Sequence, residues 1–378
     1  MLKITLYDQE NIHQLVWPVT EQAASAKAYL IPLIENGVSS YITNVTTQMR
    51  ILAIDDLILP LTINAEEYGN SYVCSPYTHY ISCAIQESSL MTNRLLRTFS
   101  TGFMEMLGKA LRYGKINKIV SVNNWLLPTN LYPVITQEQV KRITTFLSTT
   151  YPDHTIVFRS LNVHKEQALL SDCEKVGYQK VLARYIYFLD TQSPNVLKAN
   201  MFKKDLNILQ KSPYKIIELP QADSQEVKRI LSLYRAIYLE KYTEHNPQFT
   251  TKFVELIVKS RFLKLKALKL DGRIDGVFGH YAINDVMTMP FFGYDTTLPL
   301  ETGLYRKICA LMTLEAKESK SLLNLSAGAA SYKRLRRAEG SFEYSAVYHQ
   351  HLPLRRKMPW FLLRVFVNGF GSRVMQKF

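Results

Sequence analysis

The sequence predicts a mixed α/β fold, and three observations predict it. Segments with apolar residues at helical spacing alternate with short runs of period two along the 378 residues. Residues 262–294 read as three consecutive strands joined by the tight turns Asp271-Gly272 and Asn284-Asp285, an antiparallel meander. Stretches also recur: residues 51–61 parallel 265–277, and 156–177, a strand and then a helix ending in glycine, parallel 322–340. The expectation is two modules, each a mostly antiparallel sheet flanked by helices, over 1–192 and 193–353, followed by a basic, aromatic tail over 354–378. The polar break Thr191-Gln192-Ser193-Pro194 sets the boundary.

The elements follow in order. Residues 48–64 read as two short strands around Asp55-Asp56, and 71–85, rich in tyrosine and β-branched residues, as a further extended segment. Leu95, Phe99, Phe103, Met106 and Leu107 fall on one face of a helix over 90–113. Strand character returns over 116–127, helix over 136–149 and strand over 155–161. A helix over 165–175 is broken at Gly177, and alternating aromatics make 181–189 a strand. In the second half, 225–242 and 250–259 are amphipathic helices around the turn His245-Asn246-Pro247. After the meander come a helix over 302–317, a strand over 321–325, a helix over 329–337 and a strand over 342–348.

Composition narrows the class. The chain is 47% hydrophobic and 21% charged, with no low-complexity tract, so it is globular rather than disordered. Its formal net charge is +14, and from Lys333 onward ten Lys or Arg face only Glu339 and Glu343. A basic end of this kind suits an anionic partner: nucleotide, acidic carrier protein, RNA or membrane surface. The four cysteines, Cys74, Cys83, Cys173 and Cys309, have no metal-like spacing and read as buried free thiols of a reducing cytosol. No signal peptide is read in 1–14 and no run is long enough to span a bilayer, so a cytoplasmic protein is expected.

Residues 325–338 concentrate the chemistry. An apolar run meets the small residues Ser326, Ala327, Gly328 and Ala329, and then a helix start carrying Tyr332, Lys333, Arg334, Arg336 and Arg337. Small residues let backbone N–H groups approach a ligand, and basic side chains reinforce the preference for negative charge. The alternative is a solvated basic helix face after an ordinary turn.

The order of helix pair, meander, helix, strand, helix and strand resembles the GCN5-related N-acyltransferase (GNAT) superfamily. Residues 162–178, ending in Val176-Gly177-Tyr178, resemble its penultimate helix. Two such modules in one chain are similar to Fem-type aminoacyltransferases and to acetyltransferase-like proteins, in which a small-Gly-small segment followed by aromatic-Lys recurs, as in 327–337. The resemblance implies acyl transfer to an amine from a thioester or an acyl-tRNA. It places the donor loop at 298–306, where Thr302, Gly303 and Leu304 would hold the donor with Ser326, Gly328, Lys333, Arg336 and Arg337. Only Gly303 stands where the family has two small residues, and Glu301 is an awkward charge beside phosphate.

Amine acylation uses a base, donors for the oxyanion and an acid for the leaving thiolate. Asp295 is read as a base or as part of the turn Asp295-Thr296-Thr297, and Tyr294 as its orienting partner. Tyr332 is read as the acid or as a packed aromatic, and His280 as a proton carrier or a buried, hydrogen-bonded ring. Tyr242, Glu244 and His245 are read as acceptor-binding residues or as a surface helix end. No metal site is expected, since His349 and His351 lack further ligands at suitable spacing. The N-terminal copy, with 71–80 as its last meander strand, is expected to have lost donor binding.

The leading function is N-acyl transfer from acyl-CoA or a phosphopantetheine-linked acyl carrier protein to a primary amine: a small molecule, a peptide Lys or ornithine, or a lipid precursor. Aminoacyl-tRNA-dependent transfer is the second reading and the only one with a nucleic-acid partner. A non-catalytic double module is the third. The tail, with Met358 to Phe370 flanked by Arg355, Arg356, Lys357 and Arg373, is read as an anionic-membrane or carrier contact or as a helix packed back on the domain.

Overall fold

The computed structural model describes residues 4–89 and 92–371. In chain order the first half comprises β1 (Ile4–Tyr7), α1 (Glu21–Glu35), β2 (Gln48–Ile54), β3 (Leu57–Asn64), α2 (Cys83–Ser89), α3 (Arg94–Tyr113), β4 (Ile119–Val122), α4 (Gln137–Thr150), β5 (Thr155–Asn162), α5 (Gln167–Val176) and β6 (Gln179–Asp190). The second comprises α6 (Pro194–Leu197), α7 (Asn200–Gln210), β7 (Lys215–Glu218), α8 (Ser224–Arg235), α9 (Thr251–Ser260), β8 (Lys264–Leu270), β9 (Arg273–Ile283), β10 (Val286–Tyr294), α10 (Leu304–Glu318), β11 (Leu322–Asn324), α11 (Ala330–Arg334), β12 (Glu339–Tyr348) and α12 (Leu354–Phe366). Among these helices none is long and apolar enough to cross a membrane.

The strands form one twelve-stranded sheet in the order β1-β2-β3-β4-β5-β12-β6-β11-β10-β9-β8-β7. Each half contributes an antiparallel run closed by one parallel pair, β4 with β5 and β10 with β11. The last strand of each half crosses into the other: β12 pairs with β5, and β6 with β11. These two exchanged strands also pair antiparallel with each other along Glu339–Val347, which joins the two runs into one continuous ladder. The fold is thus the mixed α/β arrangement that the sequence predicts, a mostly antiparallel sheet flanked by helices, with its two halves interlocked by strand exchange.

Alternation along the strands sets the layers. Leu52, Phe158 and Ile156 point to the core beneath α4 and α5, whereas Ile51 and Val157 point to the other face. That other face carries a core shared by both halves, in which Tyr29 of α1 stacks on Phe262 at 4.5 Å and Trp125 on Phe262 at 4.8 Å. Further along it lie α3 and α12. In the second half, Leu268, Phe278 and Met287 pack under α10 on the side opposite α8 and α9.

Local signals explain most boundaries. Asp55, at φ 56°, and Asp271-Gly272 make the left-handed turns of the two hairpins. Capping boxes start α4 at Thr136 with Gln139 and α8 at Asp223 with Glu226. Gly177, at φ 106°, ends α5. The extended reading of 71–85 is corrected: Thr78–Ser82 is a π-helix running into α2. Tyr77, Tyr80 and Ile81 recur at helical spacing and pack into the core shared with Leu107 and Leu111 of α3, so tertiary burial overrides their strand propensity. The third meander strand of the first half is therefore β4, paired with β3, and not 71–80. The helix over 225–242 is also two pieces, α8 and a π-helix over Ala236–Tyr242.

Candidate active site

The parallel pairs are short, and what happens beyond them positions the site. β10 stays with β11 only from Val286↔Leu322 to Thr288↔Asn324. There a bulge at Met289-Pro290 interrupts its pairing with β9, which resumes at Phe291↔Gly279 and continues to Tyr294↔Gly276. Proline has no N–H to give a ladder, so the bulge is where it fits. From Phe291 to Tyr294 one edge of β10 is paired with β9, while the edge toward β11 has left its partner. Gly293 allows α8 to cross here: a Cβ would run into the backbone of Leu233 and Tyr234.

The two faces of the sheet meet at this open end. From one side the π-helix brings Tyr242, and the Lys241 ammonium lies 3.5 Å from the Tyr294 hydroxyl. From the other, α10 brings Tyr305, whose ring is 6.0 Å from Tyr294 and 4.9 Å from Tyr332 of α11. The Cys309 thiol lies one helical turn beyond Tyr305, and the Tyr332 hydroxyl donates to Asp205 of α7 at 3.4 Å. Burial pushes the Cys309 thiol up, and burial followed by the thiol pushes both phenols far above their ordinary value. All three groups therefore keep their protons at neutral pH.

Tyr332 is fixed from below. The Arg336 guanidinium lies 3.3 Å from the centre of its ring and donates to Asp205 of α7 at 2.6 Å, while Arg306 donates to the same buried carboxylate at 2.5 Å. Arg336 is 6% exposed, so it is an internal tie between α7, α10 and α11 and not a solvent-facing phosphate contact. Lys333 is also turned inward. Its ammonium donates to the carbonyls of Leu325, Ser326 and Ala327 at 2.7, 2.9 and 2.9 Å, gathering a loop in which Ser326, Gly328 and Ala329 all have positive φ. Burial draws Lys333 down to about 7, while the three acceptors favour its charged form.

In the loop that the resemblance assigns to the donor, α10 begins at Leu304 with Gly303 as its N-cap at φ 65°, so Thr302 belongs to the preceding 3-10 turn and not to the helix. Ile208 of α7 closes over this glycine, 3.2 Å from where a Cβ would stand.

Other sequence-derived residues lie outside this cluster. Asp295 is raised by burial, but hydrogen bonds from Thr297 and Arg229 outweigh that and hold it at about 2, which makes it a poor proton acceptor. It anchors the strand end with Arg229 and Asp275. His280 sits on β9 opposite the bulge, within reach of Lys266 and Glu315, and burial lowers it to about 4. The Glu244 and His245 carbonyls accept from Asn44 and Ser71, so both residues seam the two halves together. Arg337 points into a separate groove of about 740 Å³ at the opposite end of β10 and β11, with Lys320 and Arg334.

Among the described residues, the corresponding place in the first half is closed. Beyond Val122↔Phe158 the space beside β5 is filled by the chain itself: residues 123–132 are buried throughout, Asn130 N–H donates to the Ser160 hydroxyl and the Tyr132 hydroxyl donates to the Arg159 carbonyl. Nearby, Tyr72, His79, Arg159, Arg184 and Glu343 line a small cavity of about 20 Å³, room for roughly one water.

No family model and no curated protein matches the chain. Among solved structures the chain is similar to FemX, at 10% identity over 62% of this chain and 84% of that one with a TM-score of 0.47. It is also similar to L-PGS from Bacillus licheniformis, at 12% identity over 61% and 77% with a TM-score of 0.45. A conserved protein of unknown function from Enterococcus faecalis V583, described as a "Probable N-Acyltransferase", aligns over 92% of this chain and 72% of its own at 11% identity and a TM-score of 0.36.

Asp205, Tyr305, Arg306 and Cys309 were not singled out in the sequence. Tyr305 and Cys309 are readable afterwards as an i, i+4 pair on the helix that follows the meander. Asp205 gives no such signal, because α7 sits in a polar stretch whose partners lie about a hundred residues away.

Proposed function

We propose that the chain is an N-acyltransferase that moves an acyl group from an acyl-CoA or acyl-carrier-protein thioester to a primary amine at the open end of β10. The observation that carries this reading is the divergence of β10 from β11 after Thr288, beside protonated Tyr332. A thioester carbonyl laid along the unpaired edge of β10 meets backbone N–H groups, which stabilise the oxyanion without reorganising. The amine nitrogen forms the new bond to the carbonyl carbon, the carbon–sulfur bond breaks, and the thiolate takes a proton through the Tyr332 hydroxyl, which regains one from solvent. Asp295 at about 2 is a poor acceptor for the amine proton, so water takes it and the protein contributes chiefly positioning. The acceptor enters past Tyr242 and Tyr294.

A second reading, transfer from aminoacyl-tRNA, is supported by Ile208 over Gly303, because α7 stands where a CoA pyrophosphate would approach the start of α10. A carrier protein evades the same obstruction. The test is a donor panel of acyl-CoAs, acyl carrier proteins and bulk aminoacyl-tRNA, read by intact-mass spectrometry and thiol release. Binding and turnover of a thioester are expected; turnover of aminoacyl-tRNA alone moves the assignment to the second reading, and engagement of none of the three refutes catalysis here.

A further inference from the structure

The apolar stripe of α3 is not a core face. Leu95, Phe99 and Met106 are 83%, 76% and 62% exposed, and Tyr113 completes a line at spacings of four and seven residues. Only Leu107, Gly108 and Leu111 on the neighbouring face are buried. α12 repeats the pattern: Leu354, Met358, Phe361 and Val365, again at four and seven, are exposed, while Trp360 and Leu363 are buried.

The two helices lie antiparallel. Arg355 donates to the Tyr113 carbonyl and covers the Tyr113 ring at one end, and Phe103 meets Phe366 at 5.2 Å at the other. Phe99 and Met106 flank Phe103 on its helix, and Leu362 precedes Phe366 by one turn, so exposed apolar groups of both helices border one seam. Around it stand Arg94, Arg97 and Lys109 of α3 and Arg355, Lys357 and Arg364 of α12, with Glu105 as the one acidic residue within the two helices.

We infer that this helix pair is a docking surface for an anionic lipid bilayer. Apolar lines with a cationic border are what an interfacial helix needs: the stripe enters the acyl boundary and the border meets the headgroup charge. A second copy is a poor occupant, because a two-fold contact would set the same cations against one another. The sequence-derived tail contact thus becomes half of a larger surface whose leading edge is α3. Residues 372–378, including Arg373, lie outside the described residues.

Flotation of the full chain with phosphatidylglycerol–phosphatidylcholine vesicles tests this without reference to activity. Co-flotation is expected at low salt and is lost as salt rises or when phosphatidylglycerol is omitted. The double variant Phe99→Glu/Met106→Glu is expected to partition at least about 10-fold more weakly, with unchanged circular dichroism and melting because both side chains are exposed. Arg94→Glu/Arg97→Glu/Lys109→Glu is expected to lose the anionic-lipid dependence. The inference is overturned by absent flotation or by a double variant that floats like the parent. It is also overturned by sedimentation showing that the variant dissociates a dimer, or by loss of an acidic carrier-protein complex from a chain that never binds vesicles.

Discussion

Ser160 and Ser326 occupy the same place in the two halves of the sheet, each two residues beyond the last parallel pair and each left-handed, at φ 63° and φ 57°. The hydroxyl of Ser160 accepts from Asn130 N–H, and that of Ser326 from Arg184 at 3.3 Å. A backbone conformation unfavourable for a side chain is therefore repeated where the sheet splays. In the first half the chain folds back into the space, and in the second the Lys333 ammonium gathers the loop and leaves the edge of β10 open.

That geometry separates two substitutions at Ser326. Valine, β-branched at positive φ, is expected to destabilise by about 2 kcal/mol or more. Glycine relieves the backbone while losing one hydrogen bond, and is expected to stay within about 1 kcal/mol of the parent. Urea denaturation of the two variants decides it; equal losses would mean that the hydroxyl, and not the backbone, is what matters.

Tyr332→Phe keeps the ring stacked on Arg336 and removes only the hydroxyl, which makes it a clean probe of the acid role. The expectation is a fall of roughly 100-fold in kcat, with KM for the donor little changed and a melting temperature near that of the parent. A variant with unaltered kcat makes Tyr332 a packing residue.

The sequence carried the order of elements because periodicity and turns are local: the meander and the helix end at Gly177 sit where the pattern puts them. What it concealed is non-local. Arg336 and Lys333 read as free cations because nothing in their neighbourhood announces Asp205, more than a hundred residues earlier, or the bend that turns three carbonyls toward one ammonium. Strand exchange is invisible for the same reason, since β12 is an equally good strand beside β5 or β11. The stripe on α3 was legible as a pattern, and only the structure says which side of it is covered.

Asp205→Ala is expected to cost about 3–5 kcal/mol, because it strands Arg306 and Arg336 without their shared carboxylate. The triple variant Asp205→Leu/Arg306→Met/Arg336→Met removes the charges together and is expected to recover most of that loss. Thermal melting of both reads the difference. If the single variant melts like the parent, water is already screening this network.

Stability should fall steeply on mild acidification. His280, His154 and His349 are each lowered by burial to about 4, and His79 to about 3. Their unfolded forms bind protons below about 6.5, so the unfolded state takes up more protons than the folded one between that pH and 4. The stabilisation these neutral rings provide is present above about 6.5 and is lost as pH drops toward 4. Asp295, depressed to about 2, adds a loss only below about 4. Melting temperatures across this range should decline throughout, and His280→Gln should flatten the slope; an unchanged slope would mean that the ring is already hydrated.

Gly293→Ala tests whether the crossing of α8 over β10 sets the site. A Cβ at this position meets the Leu233 carbonyl and the Tyr234 amide, backbone atoms that cannot rotate aside. The helix must lift, carrying with it the π-helix that holds Tyr242 near Tyr294. A loss of about 1–3 kcal/mol is expected from the overpacking, together with a rise in KM for the amine that exceeds the fall in kcat, since Tyr332 and Cys309 belong to helices on the other face. Gly272→Ala is the control: its φ of 82° strains the turn, but nothing stands near the added methyl, so stability should fall while both kinetic constants hold. Equal kinetic effects from the two variants would detach the acceptor path from α8.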